Sequence, residues 1–176
     1  ILNIILLLGD TMKKIIINSI IIFLICSLFH FGYDFMPNFI TSLFFPVNES
    51  IWEHLKMIFT STIVFSFISN LFYHDKNTLF KSYIRTMATI IILLILYLPT
   101  YYLLGEVMIL TLIILFISIF LSEVIASKIS TKKHYKYLNI ISAILLILNF
   151  TIFAIFTYNP PHQNLFKDPE SKEYGI

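Results

Sequence analysis

The sequence predicts an all-α membrane protein, a bundle of about five transmembrane helices. Three observations predict it. Apolar residues make up 58% of the 176 residues and charged residues only 12%, with a mean hydropathy of +0.87. A soluble domain carries roughly 25% charged residues because it needs a wetted surface. This chain cannot coat one, so lipid is its main solvent. Five apolar stretches also reach the roughly 20 residues that a helix needs to cross a hydrocarbon core. Finally, those stretches are continuous. In lipid such runs are helices, which pair their own backbone groups, whereas a transmembrane barrel would alternate polar and apolar residues. Four Gly, six Pro and one Cys exclude collagen-like and disulfide-stapled chains, and a net charge of +2 gives no argument for nucleic acid.

The elements follow in order. Met12-Lys13-Lys14 before a long apolar run resembles a translation start, so residues 1–11 are set apart as an upstream or alternative-start segment. Ile15 to Phe35 is the first span. It reads as uncleaved, because no small-x-small site follows and Ile25, not a small residue, precedes Cys26. Asn38 to Val47 is too short to cross, and its Phe39, Ile40, Leu43, Phe44 and Phe45 are expected to dip into the interface. Leu55 to Tyr73 is the second span, and its Thr60-Ser61-Thr62 run is expected to hydrogen-bond between helices. Thr86 to Leu104 is the third, with Pro99 expected to kink it. Val107 to Ala126 is the fourth, with Glu106 at its positive end and Glu123 expected to pair with Lys128. Leu138 to Tyr158 is the fifth, with Ser142 and Asn149 as further interhelical donors. Residues 12–158 thus form the transmembrane domain and 159–176 a tail. Tyr33, Tyr73, Tyr97, Tyr101, Tyr102 and Tyr158 fit an interfacial belt.

Orientation follows from the basic residues. With the N-terminus inside, the inner segments hold Lys13, Lys14, Lys76, Lys81, Arg85, Lys128, Lys132, Lys133 and Lys136, and the outer ones hold Lys56, Lys167 and Lys172. The expectation is a bacterial cytoplasmic (inner) membrane protein, N-terminus in and C-terminus out. The inner lysines suit anionic headgroups.

Unusual polar residues then collect on the outer side. His30 and Asp34 share a helix face by their i, i+4 spacing. Asn48-Glu49-Ser50-Ile51-Trp52-Glu53-His54 is the densest polar stretch beside a span. Ser50 and Glu53 fit a capping box, and Asn48 is an alternative cap. Capping leaves His54 and the second carboxylate unexplained. Imidazole plus carboxylate suits zinc or another divalent metal with a position open for water. His30 and His54 with Asp34 or Glu49 are the candidate ligands, and Glu53 and Glu49 the candidate catalytic carboxylates. An interfacial His-Asp pair and simple helix capping are the competing readings. In the tail, Pro160-Pro161 stops the last helix, and Leu165-Phe166 forms an apolar hook. The hook would bring His162 and Asp168 over the outer mouth; the other reading is a frayed end.

Pro-Val-Asn-Glu-Ser-Ile-Trp-Glu-His-Leu-Lys at 46–56, His-Phe-x-Tyr-Asp at 30–34 and Leu-Phe-x-Asp-Pro in the tail resemble a family of small bacterial polytopic membrane proteins of unknown function. The resemblance implies a multi-pass protein and supplies no activity. Two functions compete: a metal-assisted hydrolase or transferase on a lipid or lipid-linked substrate, and a non-enzymatic small transporter or accessory subunit.

Overall fold

A computed structural model describes the backbone of residues 2–105, 107–129 and 133–176, with side chains from Gly9 onward. Four long helices and part of a fifth supply the spans. They are α1 (Leu2–His30), α4 (Ile51–Tyr73), α5 (Thr78–Leu104), α6 (Met108–Ser127) and α7 (Lys136–Tyr158). In α1 the span is Gly9–His30. Two short helices, α2 (Gly32–Phe35) and α3 (Phe39–Phe44), join α1 to α4, and a 3-10 turn at Asn164–Phe166 interrupts the tail. The chain is a multi-pass membrane protein.

Helices α1, α4, α5 and α6 close a ring in which each packs on its neighbours, and α7 lies outside against α4 and α5. The most polar span is the most buried. Leu55 through Thr62 of α4 are all buried, including Lys56, Thr60, Ser61 and Thr62. That inversion is what lipid requires, because hydroxyls and charges find partners only among other helices. Thr62 meets Thr86 of α5 at 2.7 Å, and Thr60 donates to Phe44 O at 2.8 Å. By contrast Ile17, Leu24 and Leu28 of α1 are exposed along one side, where they face acyl chains.

Several expectations change at element ends. Helix α1 is continuous across Met12. It ends at His30 rather than Phe35: the chain leaves the helical course at Phe31 and resumes as α2, where Phe45 packs close over Gly32. The third span begins at Thr78, not Thr86, so Lys81 and Arg85 belong to a helix and not to a loop. Glu123 pairs with Arg85 and accepts from Asn18 (3.0 Å), not with Lys128. Asn149 donates to Leu145 O in its own helix. The expected cap Glu106, and Lys132, lie outside the described residues. Pro99 sits inside α5, which continues to Leu104.

Consecutive spans alternate in direction, so the bundle has two ends. One carries the end of α1, the start of α4 and the tail; here it is called the histidine end. The other carries the loop residues Asp75 and Lys76 and the start of α7, and is called the lysine end.

Candidate metal centre

The histidine end is built by two breaks in the chain. Helix α1 stops at His30, and Pro46 and the Asn48 turn reset the direction before α4. Asn48 Oδ1 accepts from the Ser50 amide (3.0 Å), and Ser50 Oγ accepts from the Glu53 amide (3.3 Å). Helix α4 is therefore capped by Ser50, but the expected box does not close. Glu53 instead accepts from the Val47 amide at 3.1 Å, bracing the turn that carries Glu49.

Three side chains converge there. His30 Nε2 and His54 Nε2 lie 3.2 Å apart. Glu49 Oε2 stands 3.5 Å from the first and 3.4 Å from the second. All three are partly buried, and one ligand atom from each lies within 4.8 Å of the others. His54 Nδ1 sits 2.9 Å from Ser50 O. A carbonyl only accepts, so Nδ1 carries a proton, and the ring turns its Nε2 toward His30 and Glu49. This is the second-sphere hydrogen bond that orients metal-ligating histidines. His30 has no counterpart: its Nδ1 is buried without a hydrogen-bond partner among the described residues, and its ring packs between Phe31 and His54. Hydrogen bonds from His30 and then His54 outweigh burial and pull the Glu49 carboxyl well below the usual carboxylate range.

The remaining candidates are placed elsewhere. Asp34 is exposed on α2, outside the cluster. Its i, i+4 spacing puts it on the His30 face only if α1 runs on past His30, and α1 does not. Glu53 is buried, with Oε2 2.5 Å from Lys56 Nζ and Oε1 accepting from Thr157 at 2.8 Å. Lys56 in turn donates to Ser42 O (2.7 Å) and Thr157 (2.8 Å). This pair ties α4 to α3 and α7 and engages both Glu53 oxygens in the packing between helices. Trp52 stacks on Phe153 (4.7 Å) and Phe166 (4.8 Å).

The tail folds back. Phe166 is buried, and Asn48 Nδ2 donates to Gly175 O (3.1 Å). The Ile176 amide donates to Thr157 O (3.1 Å). Asp168 caps the Glu170 and Ser171 amides, each at 3.1 Å. Burial pushes its carboxyl up, but the hydrogen bonds from Ser171 and Glu170 win and hold it below the usual aspartate value. His162 stacks on Tyr174 and is exposed. Of the tail it is Asn164, Lys167 and Pro169, not His162, that join Glu49 and His54 around one cavity of about 70 Å³. That cavity continues between α4, α5 and α6 past Leu93, Tyr97 and Leu115.

Gly175 locks this arrangement. Its φ is +66°, and a Cβ would strike Thr157 O. Left-handed strain costs about 1–3 kcal/mol, so Gly175→Ala is expected to undock the tail. Trp52, the single tryptophan, reports the loss of Phe166 as a shift in its emission. Unchanged emission would show that the tail is held by other means.

Five apolar helices around a polar core, with a His-Glu-His cluster at one end, define a helical multi-pass membrane protein with a candidate metal centre. Residues 6–176 match a family of unknown function (DUF6512), and the chain belongs to that family. No curated protein and no solved structure matches it.

Proposed function

We propose that the protein is a metal-dependent membrane hydrolase or transferase acting on a lipid-type substrate. His30, Glu49 and His54 hold a divalent ion of the zinc class. One observation carries the reading. Ligand atoms at about 2.0–2.1 Å from zinc in tetrahedral geometry stand roughly 3.3–3.4 Å from each other. The three edges here are 3.2, 3.4 and 3.5 Å. Two imidazoles and a carboxylate with a fourth position open is a ligand set used by catalytic zinc. The ion would lower the pKa of a bound water to about 7 and so generate the nucleophile without help from Glu53. Glu53 becomes a positioning residue, through the Val47 amide.

The cleft supports the substrate class. Its inner wall is aromatic and aliphatic, which suits an acyl or prenyl chain. Its mouth carries Lys167 and Asn164, which suit a polar or anionic head. With the lysine-rich end in the cytoplasm, the centre faces the outer leaflet of a bacterial inner membrane.

The experiment is turnover of fluorogenic carboxyester and phosphodiester lipid analogues by purified protein. Chelation is expected to abolish turnover and stoichiometric zinc to restore it. Turnover that survives chelation, or that His30→Ala with His54→Ala leaves unchanged, contradicts the proposal. A non-enzymatic transporter or accessory subunit is favoured by one observation, the Arg85–Glu123 pair buried inside the spans, since such charges often mark ion or substrate pathways.

A further inference from the structure

A second polar cavity, of about 180 Å³, opens at the lysine end between α1, α4, α5 and α6. An ordered water needs roughly 10–15 Å³ of such space, so this one admits a polyatomic group. Five charged side chains line it: Lys14, Lys81, Arg85, Asp75 and Glu123. They leave one positive charge in excess.

The hydrogen bonds show which groups are already spent. Glu123 gives one oxygen to Arg85 Nε and the other to Asn18 Nδ2. Asp75 Oδ1 accepts from the Asn77 amide at 2.9 Å, and Oδ2 from Lys81 Nζ at 2.5 Å. Every carboxylate oxygen in the cavity therefore has a donor. The donors are not used up in return. An ammonium carries three N–H groups, and Lys81 directs one at Asp75. Lys14 Nζ stands over the Tyr73 ring at 3.6 Å, and among the described residues no carboxylate lies within ion-pair distance of it. Arg85 sends NH1 to Ser66 Oγ at 2.6 Å, which fixes the guanidinium at the cavity floor. The result is a walled site with surplus donors and a surplus positive charge, in which each carboxylate oxygen already accepts a hydrogen bond.

We infer that this cavity binds a phosphate-type anion through Lys14 and Lys81, with Arg85 as the fixed charge beneath them. Its oxygens take the unspent ammonium N–H groups. The site is independent of the histidine-end centre. The phosphate belongs either to a lipid headgroup or to a soluble phosphate compound, and the cavity's opening at the end of the spans is compatible with both.

The neighbouring lysine provides the control. Lys13 is 78% exposed, and its one ion pair among the described residues is with Asp10, at 4.0 Å. Both lysines attract an anionic surface equally, but only Lys14 enters the cavity. Inorganic phosphate is titrated calorimetrically into purified protein, and retention of dioleoyl phosphatidic acid is read by native mass spectrometry. A charge-assisted hydrogen bond is worth about 1.5–3 kcal/mol, so Lys14→Gln is expected to weaken binding about tenfold or more, and Lys13→Gln less than about twofold. Lys14→Arg should restore most of it. Binding of both probes with that pattern assigns a site open to free phosphate; binding of the lipid alone assigns a headgroup site. Equal effects of the two Gln variants, or no binding of either probe, overturn the inference. Should Lys14→Gln not remain monodisperse, thermal shifts of the wild type decide it. Phosphate must raise the melting temperature above chloride at equal ionic strength, and failure to do so overturns the inference.

Discussion

Lys56→Met will destabilise the bundle more than the double replacement Lys56→Met with Glu53→Gln. Lys56 and Glu53 side chains are 0% and 2% exposed, so removing the lysine alone strands a carboxyl among α3, α4 and α7. Breaking a buried pair from one side costs about 3–5 kcal/mol, whereas replacing both members by apolar or neutral groups is often close to neutral. The Thr157 hydroxyl, which donates to Glu53 at 2.8 Å, keeps its acceptor in the double variant. Thermal unfolding in detergent, followed by loss of monodisperse protein, reads the difference. If the single and double variants melt alike, the pair does not stabilise the bundle as described. The same variants bear on the metal centre, because Glu53 holds the Val47 amide at 3.1 Å and so sets the turn before Glu49. Lys56→Met should therefore loosen metal binding without touching a ligand.

The second large effect concerns the ligands themselves. His54→Ala and Glu49→Ala should each lower zinc affinity by a hundredfold or more, on the order of 3 kcal/mol or above, since each removes one of three protein bonds to the ion. Asp34→Asn should leave it unchanged, because Asp34 is exposed on α2 and outside the cluster. Competition with a chromogenic chelator measures all three. Equal affinities for Glu49→Ala and wild type would remove the carboxylate from the site; a loss in Asp34→Asn would move the site toward α2.

The five spans were legible because lipid imposes one rule on the whole run: backbone groups pair internally and apolar side chains face outward. Periodicity within the run hardly mattered. His30 and His54 were legible for a related reason, since imidazoles at the ends of consecutive apolar helices must lie at the same end of a bundle. Ranking the carboxylates was not possible from spacing. The i, i+4 spacing puts Asp34 on the His30 face only if one helix runs on past His30, and the chain breaks at Phe31 and restarts as α2. Glu53 and Glu49 are one turn apart on paper, but the Asn48 turn separates them. One faces the histidines and the other is drawn inward by Lys56, three residues on. That i, i+3 spacing is present in the sequence, but nothing in it shows that both side chains turn inward.

The lysine-end cavity was illegible for a different reason. Its charged residues, at 14, 75, 81, 85 and 123, come from three helices and a turn, and no local pattern unites them. Glu123 pairs with Arg85 across 38 residues of sequence, which no reading of neighbours would have chosen over Lys128. The tail falls between these cases. Its apolar hook was readable, and Phe166 is buried against Trp52; the choice of Lys167 over His162 at the mouth depended on the turn that Asp168 closes.

The central claim is that His30, Glu49 and His54 form a metal centre, and X-ray absorption on the purified, zinc-equilibrated protein tests it most directly. The account predicts close to one zinc per chain, bound by two imidazole nitrogens and oxygen at about 2.0–2.2 Å, with the imidazole scattering lost in His30→Ala with His54→Ala. Protein that retains no stoichiometric zinc, or an imidazole signal that survives the double replacement, would contradict it.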